Sequence, residues 1–471
     1  MNGYAALTFR TRALYRAALL SGKLIGAVKG RLPEKPDPPA GPALPPGMTV
    51  VIPSRSGADL LARLLPGVER ELTGITSEII VVDNGSDDQT AAFLHQQFPS
   101  VVIDLSAMPL SFAAAVNRGI RRARYQHVCL LNNDMVVGEG FFSQLRQAFA
   151  EVPDLFCATA QILFPPGVRR EETGKAVMPR GDGAADEDSF PVRCDTPVEG
   201  ENLTYVLYGS GGASAYDLVK LRQLGAFGEM YRPAYVEDLD VGFRAWQRGW
   251  PTVYVARASV VHYHRTTTSR YYTPEALELV LDVNYLRFLV RAVTEPDVFR
   301  RLWERYLGTL ARKAARQPEP ASTALCFASR AARWLERPPP LAISEAEILA
   351  VGSGDVAVFP GLATRRGRPP AIVVLPAAIR LPESGVDRIL VAYCDELAEP
   401  PHAVRSQCLE VVLVRRAAGE LAFRGALRLA IAKYSPVRAQ VEAKEMATFA
   451  DVCRPLPTLL LDLSLEDQTI T

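Results

Sequence analysis

The feature that most constrains the fold is a regular alternation, between residues 48 and 131, of short apolar runs with longer segments of helical spacing. Short apolar runs bounded by polar turns predict buried strands, whereas apolar residues three and four positions apart predict helices. The predicted strands are residues 49–52, 78–82, 101–105 and 127–131, and the predicted helices are residues 59–72, 90–98 and 112–123. This order predicts an α/β fold with a mainly parallel sheet and helices on both faces.

Polar clusters follow three of these predicted strands. They are Pro53-Ser54-Arg55, Asp83-Asn84-Gly85-Ser86 and Asn132-Asn133-Asp134. Ligands of parallel α/β sheets bind beyond the carboxyl ends of the strands, so these clusters are candidate binding residues. The Asp83 carboxylate can accept a hydrogen bond from a nucleobase, and Asp134 can hold a divalent ion against a diphosphate. Each cluster taken alone is also compatible with a turn or a helix cap.

Two further polar clusters lie just beyond the middle of the chain. Residues 237–240 read EDLD, which places three acids within four positions. Their mutual repulsion would be offset by a bound cation or by the positive end of a helix, or accepted because a reaction needs the acids. We expect Asp240 to form an ion pair with Arg244. His262 and His264 point the same way if they belong to one strand, although a lone strand histidine is more often structural than a ligand.

Six motifs occur in one order along the chain. They read VVIPSRSG, IIVVDNGSDDQT, LSFAAAVNRGI, CLLNNDMVV, GSGGAS and a longer stretch that includes AYVEDLDVGFRAW and ends in VVHYH. Together they resemble the family 2 glycosyltransferases of GT-A fold, in the rhamnosyltransferase-like branch, over residues 48–285. No single motif is specific, but six in register are. The resemblance implies a Rossmann-like mixed sheet with helices on both faces.

The resemblance also implies an activity, namely inverting, metal-dependent transfer of a sugar from a nucleotide diphosphate to a hydroxyl group. The donor would be a UDP-, dTDP- or GDP-sugar, and the acceptor a glycan or a lipid-linked molecule. Asp238 matches the catalytic base of the family, and Glu237 matches its neighbour at the acceptor. The positions that match nucleotide-binding residues are Pro53, Ser54, Arg55, Asp83, Asn117, Asn133 and Asp134.

The donor sugar and the metal have matching positions as well. Ser210, Gly211 and Gly212 match the turn beneath the donor sugar, where missing side chains let a ligand approach. Asp134 and His262 match the ligands of the Mg²⁺ or Mn²⁺ ion. Asn132 stands where the family usually has the first acid of its DxD motif, and the lost charge predicts a weaker metal affinity.

The segment that precedes the first strand has two parts. Residues 1–32 contain six basic residues and no acid, with Arg12, Arg16 and Lys23 on one side of a helical wheel and Leu7, Leu14 and Ile25 roughly opposite. Such a basic amphipathic segment can lie on an anionic membrane, dock on the enzyme's own surface, or stay a partly disordered tail. Residues 33–47 form a proline-rich linker, which forbids a helix.

The remainder of the chain predicts two further units after a GT-A domain at residues 48–270. Residues 271–338 form a helical extension, in which residues 274–310 have strong helical spacing. Residues 339–471 form a small accessory α/β domain of unknown role. Its predicted strands are residues 346–351, 371–375, 388–392 and 409–414.

Composition narrows the function classes. The net charge of +1 argues against a nucleic-acid binder that works by bulk electrostatics. Seven scattered cysteines without a CxxC pair, and the lack of an apolar run of membrane-spanning length, predict a cytoplasmic protein that is at most peripheral to the membrane. Two other function classes stay open: a nucleotidyltransferase, for which the PSRSG loop is a poor triphosphate cradle, and a non-catalytic scaffold that binds nucleotide sugars.

Overall fold

The computed structural model describes residues 8–165, 174–179, 190–263, 272–316, 318–363, 371–375, 388–436, 438–441, 452 and 460–461. The strands are β1 (Met48–Ser54), β2 (Ser77–Asn84), β3 (Val102–Ser106), β4 (His127–Leu131), β5 (Met135–Val137), β6 (Cys157–Leu163), β7 (Ala176–Val177), β8 (Arg193–Cys194), β9 (Thr204–Val206), β10 (Ala213–Asp217), β11 (Thr252–His262), β12 (Val356–Pro360), β13 (Ala371–Leu375), β14 (Arg388–Cys394), β15 (Glu410–Arg415), β16 (Arg438–Val441) and β17 (Leu460–Leu461). The helices are α1 (Phe9–Lys29), α2 (Ala58–Glu71), α3 (Thr90–Gln97), α4 (Phe112–Arg122), α5 (Phe141–Glu151), α6 (Leu218–Gln223), α7 (Glu237–Trp246), α8 (Pro274–Ala292), α9 (Pro296–Arg316), α10 (Pro318–Ser329), α11 (Glu345–Val351), α12 (His402–Arg405) and α13 (Gly419–Tyr434).

The main sheet has the strand order β3-β2-β1-β4-β10-β6-β11-β5, with β9 paired to β11. The four strands of its first half are parallel, because β1 pairs in parallel with β2 and β4, and β2 with β3. Antiparallel β10 separates them from the parallel pair β6 and β11. The predicted α/β fold, with a mixed sheet, is confirmed.

Both faces of this sheet are covered by helices. Val50 and Ile52 of β1 belong to one apolar core with Leu61 of α2, whereas Val51 belongs to a second core with Val116 of α4. Successive strand residues point to opposite faces, so a continuous apolar strand fills two cores at once. The predicted placement of helices on both faces is therefore confirmed.

The helical segment predicted at residues 274–310 is two helices in the structure, α8 and α9. The chain leaves helical geometry at Val293, and Pro296 begins α9. Proline disfavours helical geometry in the residue before it but suits the first turn of a helix, which explains the break.

The strand predicted at residues 346–351 is wrong, because these residues belong to α11. The Ser344 side chain accepts a hydrogen bond from the backbone N–H of Glu347 at 3.2 Å, which caps the start of the helix. Serine three positions before glutamate is a helix-start signal, and a short apolar run does not by itself distinguish strand from helix.

The C-terminal strands form a second sheet, with the order β12-β15-β14-β13-β16-β17. The strands predicted at residues 371–375, 388–392 and 409–414 are confirmed as β13, β14 and β15. The backbone N–H of Val358 in β12 donates to the Thr204 hydroxyl of β9 at 3.0 Å, and that of Asn202 donates to the Val358 carbonyl at 2.9 Å. The two sheets are thus connected by hydrogen bonds at β9 and β12.

A buried carboxylate joins three parts of the chain. The Glu345 side chain, fully removed from solvent, accepts hydrogen bonds from the Gln247 amide at 2.7 Å and from the backbone N–H of Thr294 at 2.6 Å. The backbone N–H of Glu295 donates to its second oxygen at 2.9 Å. Glu345 therefore connects the C-terminal unit with the end of α7 and with the turn between α8 and α9.

Helix α1 docks on the protein's own surface, which was one of the alternatives expected for residues 1–32. The Trp303 indole donates to the Ala18 carbonyl at 3.1 Å, and the Lys29 ammonium donates to the Val290 carbonyl at 2.6 Å. Leu14 and Ile25, expected on one side, pack against the core, while Leu7 lies outside the described residues. None of the helices in the described ranges is both long and apolar enough to cross a bilayer.

The proline-rich linker lies along the same surface. Arg248 donates to the Asp37 carboxylate at 2.8 Å, and the Gln223 amide donates to the Pro38 carbonyl at 2.9 Å. The backbone N–H of Lys35 donates to the Pro338 carbonyl at 2.8 Å. The linker is therefore held against α6, the end of α7 and the segment that follows α10.

A test of the helix–sheet packing uses two helical glycines. A Cβ at Gly119 of α4 would lie 2.3 Å from Val51 Cγ1, whereas a Cβ at Gly308 of α9 would meet nothing closer than Arg312 Nη1 at 3.6 Å. We expect Gly119→Ala to lower the free energy of unfolding, because overpacking costs about 1–3 kcal/mol. Gly308→Ala should raise it by up to about 1 kcal/mol through helix propensity. Urea unfolding measures both, and equal effects of the two substitutions would contradict this packing.

Candidate active site

The carboxyl ends of β1, β2 and β4 border one cleft. Ser54 at the end of β1 is the register partner of Asp83 at the end of β2, and β4 pairs with the other side of β1. The cleft is lined by Pro53, Ser54, Arg55, Asn84, Leu110, Phe112, Ala115, Asn132, Asn133, Asp134, Pro233, Ala234, Tyr272 and Leu277. The clusters predicted at residues 53–55 and 132–134 therefore meet in space.

Ser54 and Asn133 are held together at the floor of this cleft. The Asn133 amide donates to the Ser54 hydroxyl at 2.9 Å, and both residues are buried. A Cβ at Gly57 would lie 2.5 Å from the Asn133 amide nitrogen, so glycine lets the loop after β1 come this close without displacing that side chain. The backbone of that loop is thus placed against the carboxyl end of β4.

Asp83 lies at the expected strand end, but its side chain closes a turn. One carboxylate oxygen accepts a hydrogen bond from the backbone N–H of Ser86 at 3.1 Å. Its neighbour Asn84 lines the cleft, and it exchanges two hydrogen bonds with the backbone of Leu110, at 3.1 Å and 2.7 Å. The DNGS motif therefore shapes the cleft wall, and within this predicted cluster Asn84 rather than Asp83 lines the cleft.

The predicted metal ligands Asp134 and His262 are adjacent. His262 Nε2 lies 3.2 Å from Asp134 Oδ1, and both side chains are largely buried. The sheet brings them together, because β5 follows Asp134 directly and pairs antiparallel with the end of β11, with Met135 opposite His262. His264 lies outside the described residues.

Asp238 lies in the first turn of α7, beside the turn that precedes β10. Its carboxylate accepts hydrogen bonds from the backbone N–H of Leu239 at 2.9 Å and of Gly211 at 3.3 Å. A Cβ at Gly211 would lie 3.1 Å from the ring of Phe112, which lines the cleft, and 3.8 Å from Asp238 Oδ2. Gly211 therefore lies between the Asp238 carboxylate and the Phe112 ring of the cleft wall.

The rest of the glycine-rich turn packs against the Asn132 cluster. A Cβ at Gly212 would lie 2.4 Å from the Asn132 amide nitrogen, and the backbone N–H of Asn132 donates to the Gly212 carbonyl at 2.9 Å. The backbone N–H of Ser210 donates to the Thr159 hydroxyl at 3.2 Å. The predicted donor-sugar turn thus lies between the Asp134 cluster and Asp238.

The two acids at the start of α7 have unusual electrostatics. Burial raises the pKa of Asp238 to about 6, although the N–H groups of Leu239 and Gly211 oppose this effect. Burial, together with the negative charge of Asp238, raises the pKa of the Glu237 carboxyl as well. The Glu237 side chain is buried, and its Oε2 has no hydrogen-bond partner in the described part of the chain. A carboxyl in this state favours the protonated form.

The backbone that enters α7 is strained. Tyr235 and Val236 both have left-handed conformations, with φ of 75° and 78°. A β-branched residue is an outlier there, and such strain persists only where surrounding contacts enforce it. Asn284 of α8, fully buried, donates to the carbonyls of Ala234 and Tyr235 at 3.0 Å and 3.1 Å. Helix α8 therefore fixes the loop that positions Asp238.

Asp240 forms the ion pair with Arg244 that the sequence predicts, at 2.9 Å. It is fully buried and also pairs with Arg291 of α8, and it accepts a hydrogen bond from the Tyr231 hydroxyl at 2.9 Å. Burial alone would raise the pKa of Asp240, but Arg244 and Arg291 hold it below its ordinary value. This charged network attaches α7 to α8.

Asn117 is the predicted nucleotide-binding residue that the structure places away from the cleft. Its amide group donates to the Phe227 carbonyl at 2.9 Å and to the Glu229 carboxylate at 3.2 Å, and it accepts from the backbone N–H of Phe227 at 3.1 Å. Among the described residues it lines a different cavity, together with Arg291. Its amide is fully engaged in holding the segment before α7.

Sequence reasoning missed the far wall of the cleft and the residues of α8 that support α7. Tyr272 and Leu277 carry no motif-like signal, because an apolar residue in a cleft wall has the same local pattern as one in a core. Asn284 gave a weak signal, since a polar residue interrupts the apolar spacing of α8. Fully buried polar residues require hydrogen-bond partners, but the sequence does not name those partners.

Comparisons with known proteins agree with this architecture. A family model described as "Glycosyltransferase like family 2" matches residues 45–276. An N-acetylglucosaminyl-diphospho-decaprenol L-rhamnosyltransferase of Mycobacterium tuberculosis is 28% identical over 228 residues, which is 45% of this chain and 72% of that protein. An uncharacterized protein of Sinorhizobium fredii is 24% identical over 49% of this chain and 26% of its own length.

Two solved structures show a weaker likeness, with TM-scores below 0.5. One is GalNAc-T7 with UDP, GalNAc and Mn²⁺, with a TM-score of 0.44, 18% identity, and coverage of 62% of this chain and 54% of that one. The other is a mannosyltransferase from Pyrobaculum calidifontis with GDP-mannose and Mn²⁺, with a TM-score of 0.38, 15% identity, and coverage of 69% and 98%. The family match and the rhamnosyltransferase relative together show that this chain, through residues 45–276, is a glycosyltransferase of family 2, of the GT-A type.

Proposed function

We propose that this glycosyltransferase inverts the anomeric carbon as it moves a sugar from a nucleotide diphosphate to a hydroxyl of a lipid-linked or other glycan acceptor. The observation that carries the proposal is the position of Asp238. Its carboxylate is oriented by two backbone N–H groups and lies behind the Phe112 wall of a cleft that also contains Asp134. A single base beside this cleft supports one in-line displacement.

The nucleotide would bind at the carboxyl ends of β1, β2 and β4. Pro53, Ser54 and Arg55 line the cleft on one side and Asn133 and Asp134 on the other. Asp83 would act mainly through its turn, which places Asn84 and the backbone after it against the base and ribose. Ser210, Gly211 and Gly212 would accept the donor sugar, since they lie between Asp134 and Asp238.

A divalent ion fits the Asp134–His262 pair. Two ligands in adjacent octahedral positions, with bonds of about 2.1 Å, lie about 3.0 Å apart, and the two ligand atoms here are 3.2 Å apart. No group of three or more His, Cys, Asp or Glu residues that could hold a metal occurs within the described ranges, so donor phosphates and waters would complete the coordination. Bound Mg²⁺ or Mn²⁺ would neutralise charge on the departing diphosphate.

Asp238 would act as the general base. A carboxylate near pKa 6 is largely deprotonated at neutral pH, yet basic enough to take the proton of the attacking hydroxyl. Glu237 would be the protonated partner, because its raised pKa favours the neutral acid. A neutral Glu237 leaves Asp238 as the negative carboxylate of this adjacent pair, while Asp240 is neutralised by arginines.

The acceptor and the cellular site follow from the same proposal. The mycobacterial relative is named for a diphospho-decaprenol substrate, which is lipid-linked. A lipid-linked acceptor would place the enzyme on the cytoplasmic face of a membrane, as a peripheral protein. Transfer to such an acceptor releases nucleoside diphosphate, whereas a nucleotidyltransferase, the competing class, releases pyrophosphate, so product analysis separates the two.

Replacing the base tests the assignment directly. We expect Asp238→Asn to bind the donor normally and to lose about 10²–10⁴-fold in transfer rate, the usual contribution of a positioned proton acceptor. Asp297→Asn is the matched control, because Asp297 is 88% exposed on α9 and pairs only with Arg300 at the surface in the described structure. Turnover of the Asp238 variant at the parental rate, with unchanged thermal stability, would show that another group is the base.

The pH dependence is a second test. Asp238 acts deprotonated and its pKa is raised to about 6, so activity should be nearly full above pH 7 and decline as the pH falls through 6. We expect kcat to drop about tenfold between pH 7 and pH 5, with a slope of one proton. Circular dichroism at pH 5 controls for unfolding. A flat kcat profile down to pH 4.5 would exclude Asp238 as the titrating base.

The donor and the metal are tested together by binding. A panel of nucleotide sugars, screened by thermal shift with and without Mn²⁺, should identify one donor whose affinity Mn²⁺ strengthens. Asp134→Ala and His262→Ala should each abolish the metal-dependent part of the affinity and leave the metal-independent part near its parental value. A lack of response to every nucleotide sugar would refute donor binding, and equal affinity with and without Mn²⁺ would refute the metal site alone.

A further inference from the structure

Helix α1 has a second apolar face that the described part of the chain leaves uncovered. Its inward face, which includes Ala18, Gly22 and Ile25, packs against α9 and α10. On the outward face Phe9 is 90% exposed, Leu20 59%, Leu24 61% and Val28 43%. Few large apolar side chains are exposed in the described structure, and these four lie on this one helix.

These exposed residues form a continuous stripe. Leu20, Leu24 and Val28 are four positions apart, and Phe9 lies three helical turns before Leu20, so all four share one side of the helix. The positions between them on that side are exposed alanines, namely Ala13, Ala17 and Ala27. The stripe runs for about 28 Å along the helix. We call it the α1 stripe.

Basic side chains border the α1 stripe. Arg10, Arg16, Lys23 and Arg31 are exposed on α1 or directly after it, and residues 1–32 contain no acid. The neighbouring helix α9 adds exposed Arg300, Arg301 and Arg305, against exposed Asp297 and Glu304. The surface around the stripe is therefore positively charged, although the whole chain is almost neutral, with a formal net charge of +1.

The stripe is rigidly presented. A Cβ at Gly22 would lie 2.2 Å from the Trp303 indole nitrogen, so α1 approaches α9 more closely than any other residue would allow. The Thr11 hydroxyl lies 3.1 Å from the Ser322 hydroxyl of α10, and the Lys29 ammonium binds the Val290 carbonyl of α8. Both ends of α1 are thus attached to the helical layer, which leaves only the outward face for a partner.

The inward face of α1 is connected to the cleft through the helical layer. The first half of α1 contacts the end of α9, because Tyr15 packs against Ala311 and Ala314. The end of α9 is joined to the start of α8 by Lys313, which pairs with Glu278 at 3.0 Å and Asp282 at 2.9 Å. Leu277, adjacent to Glu278, lines the cleft.

We propose that the α1 stripe docks the enzyme on an anionic lipid bilayer, with its apolar side chains in the interface and its basic side chains on lipid phosphates. Charge complementarity selects this occupant, because an apolar stripe on a helix that carries exposed cations and no acid is the pattern that binds anionic membrane surfaces. The docked enzyme would present its cleft to a lipid-linked acceptor. This connection between docking and the acceptor rests on the proposed function, whereas the docking itself does not.

Vesicle co-sedimentation of the full chain tests the docking without any transfer reaction. The protein should sediment with vesicles of equal parts phosphatidylcholine and phosphatidylglycerol, and stay in the supernatant with phosphatidylcholine alone. Leu20→Glu/Leu24→Glu should reduce the partition by about tenfold or more, since each leucine loses the burial of its side chain. Lys23→Glu should weaken vesicle binding more strongly at low salt than at high salt, because salt screens the charge contribution.

The matched control is Leu362→Glu/Leu421→Glu, which changes two leucines that are 48% and 38% exposed in the C-terminal unit. It should sediment like the parent protein. Parental sedimentation of the Leu20/Leu24 variant, or no sedimentation of the parent, would overturn the proposal. So would a concentration-dependent dimer that forms without lipid and that the same variant abolishes, because the stripe would then join two copies. Donor binding is measured separately, because a protein that binds its donor but does not dock on lipid contradicts the docking proposal and leaves the proposed function intact.

Discussion

The parallel pairing of β1 with β2 and β4 is the constraint on which the rest of the structure depends. It brings three carboxyl ends to one edge of the sheet, so residues that are far apart in sequence surround a single cleft. The antiparallel pairing of β5 with β11 then adds His262 to Asp134. Three hydrogen-bond ladders thus assemble the side of the cleft that carries the proposed nucleotide-binding residues.

The side that carries Asp238, the proposed base, is assembled differently. Helix α7 begins after two left-handed residues, and this backbone is held by Asn284 and by the pairing of Asp240 with Arg291. Both supporting residues belong to α8, outside the alternating strands and helices of the main sheet. Because breaking a buried ion pair costs about 3–5 kcal/mol, the position of Asp238 depends on the helical extension as much as on its own helix.

Sequence alone predicts the parts of this molecule that obey short-range rules. Seven of its early strands and helices follow from apolar spacing, and the clusters at Ser54 and Asp134 follow from the rule that ligands bind at strand ends. The role expected for Asn117 did not match its placement, because its amide finds partners 110 positions away at Phe227. Residues 346–351, predicted as a strand from their apolar content, form a helix because Ser344 caps its start. The far wall of the cleft and the support from α8 arise from long-range packing, which no local pattern encodes.

The buried Glu345 has a consequence for dissecting this enzyme. It lies on the C-terminal side of the predicted boundary at residues 338–339, yet it accepts hydrogen bonds from Gln247 and Thr294 on the other side. Truncation at that boundary would strand an amide and a peptide N–H in an apolar interior, at a cost of about 1–3 kcal/mol each. The glycosyltransferase domain is therefore not expected to fold well when it is expressed alone. A chimera with a related enzyme would stay folded only if it includes Glu345 together with the residues that donate hydrogen bonds to it.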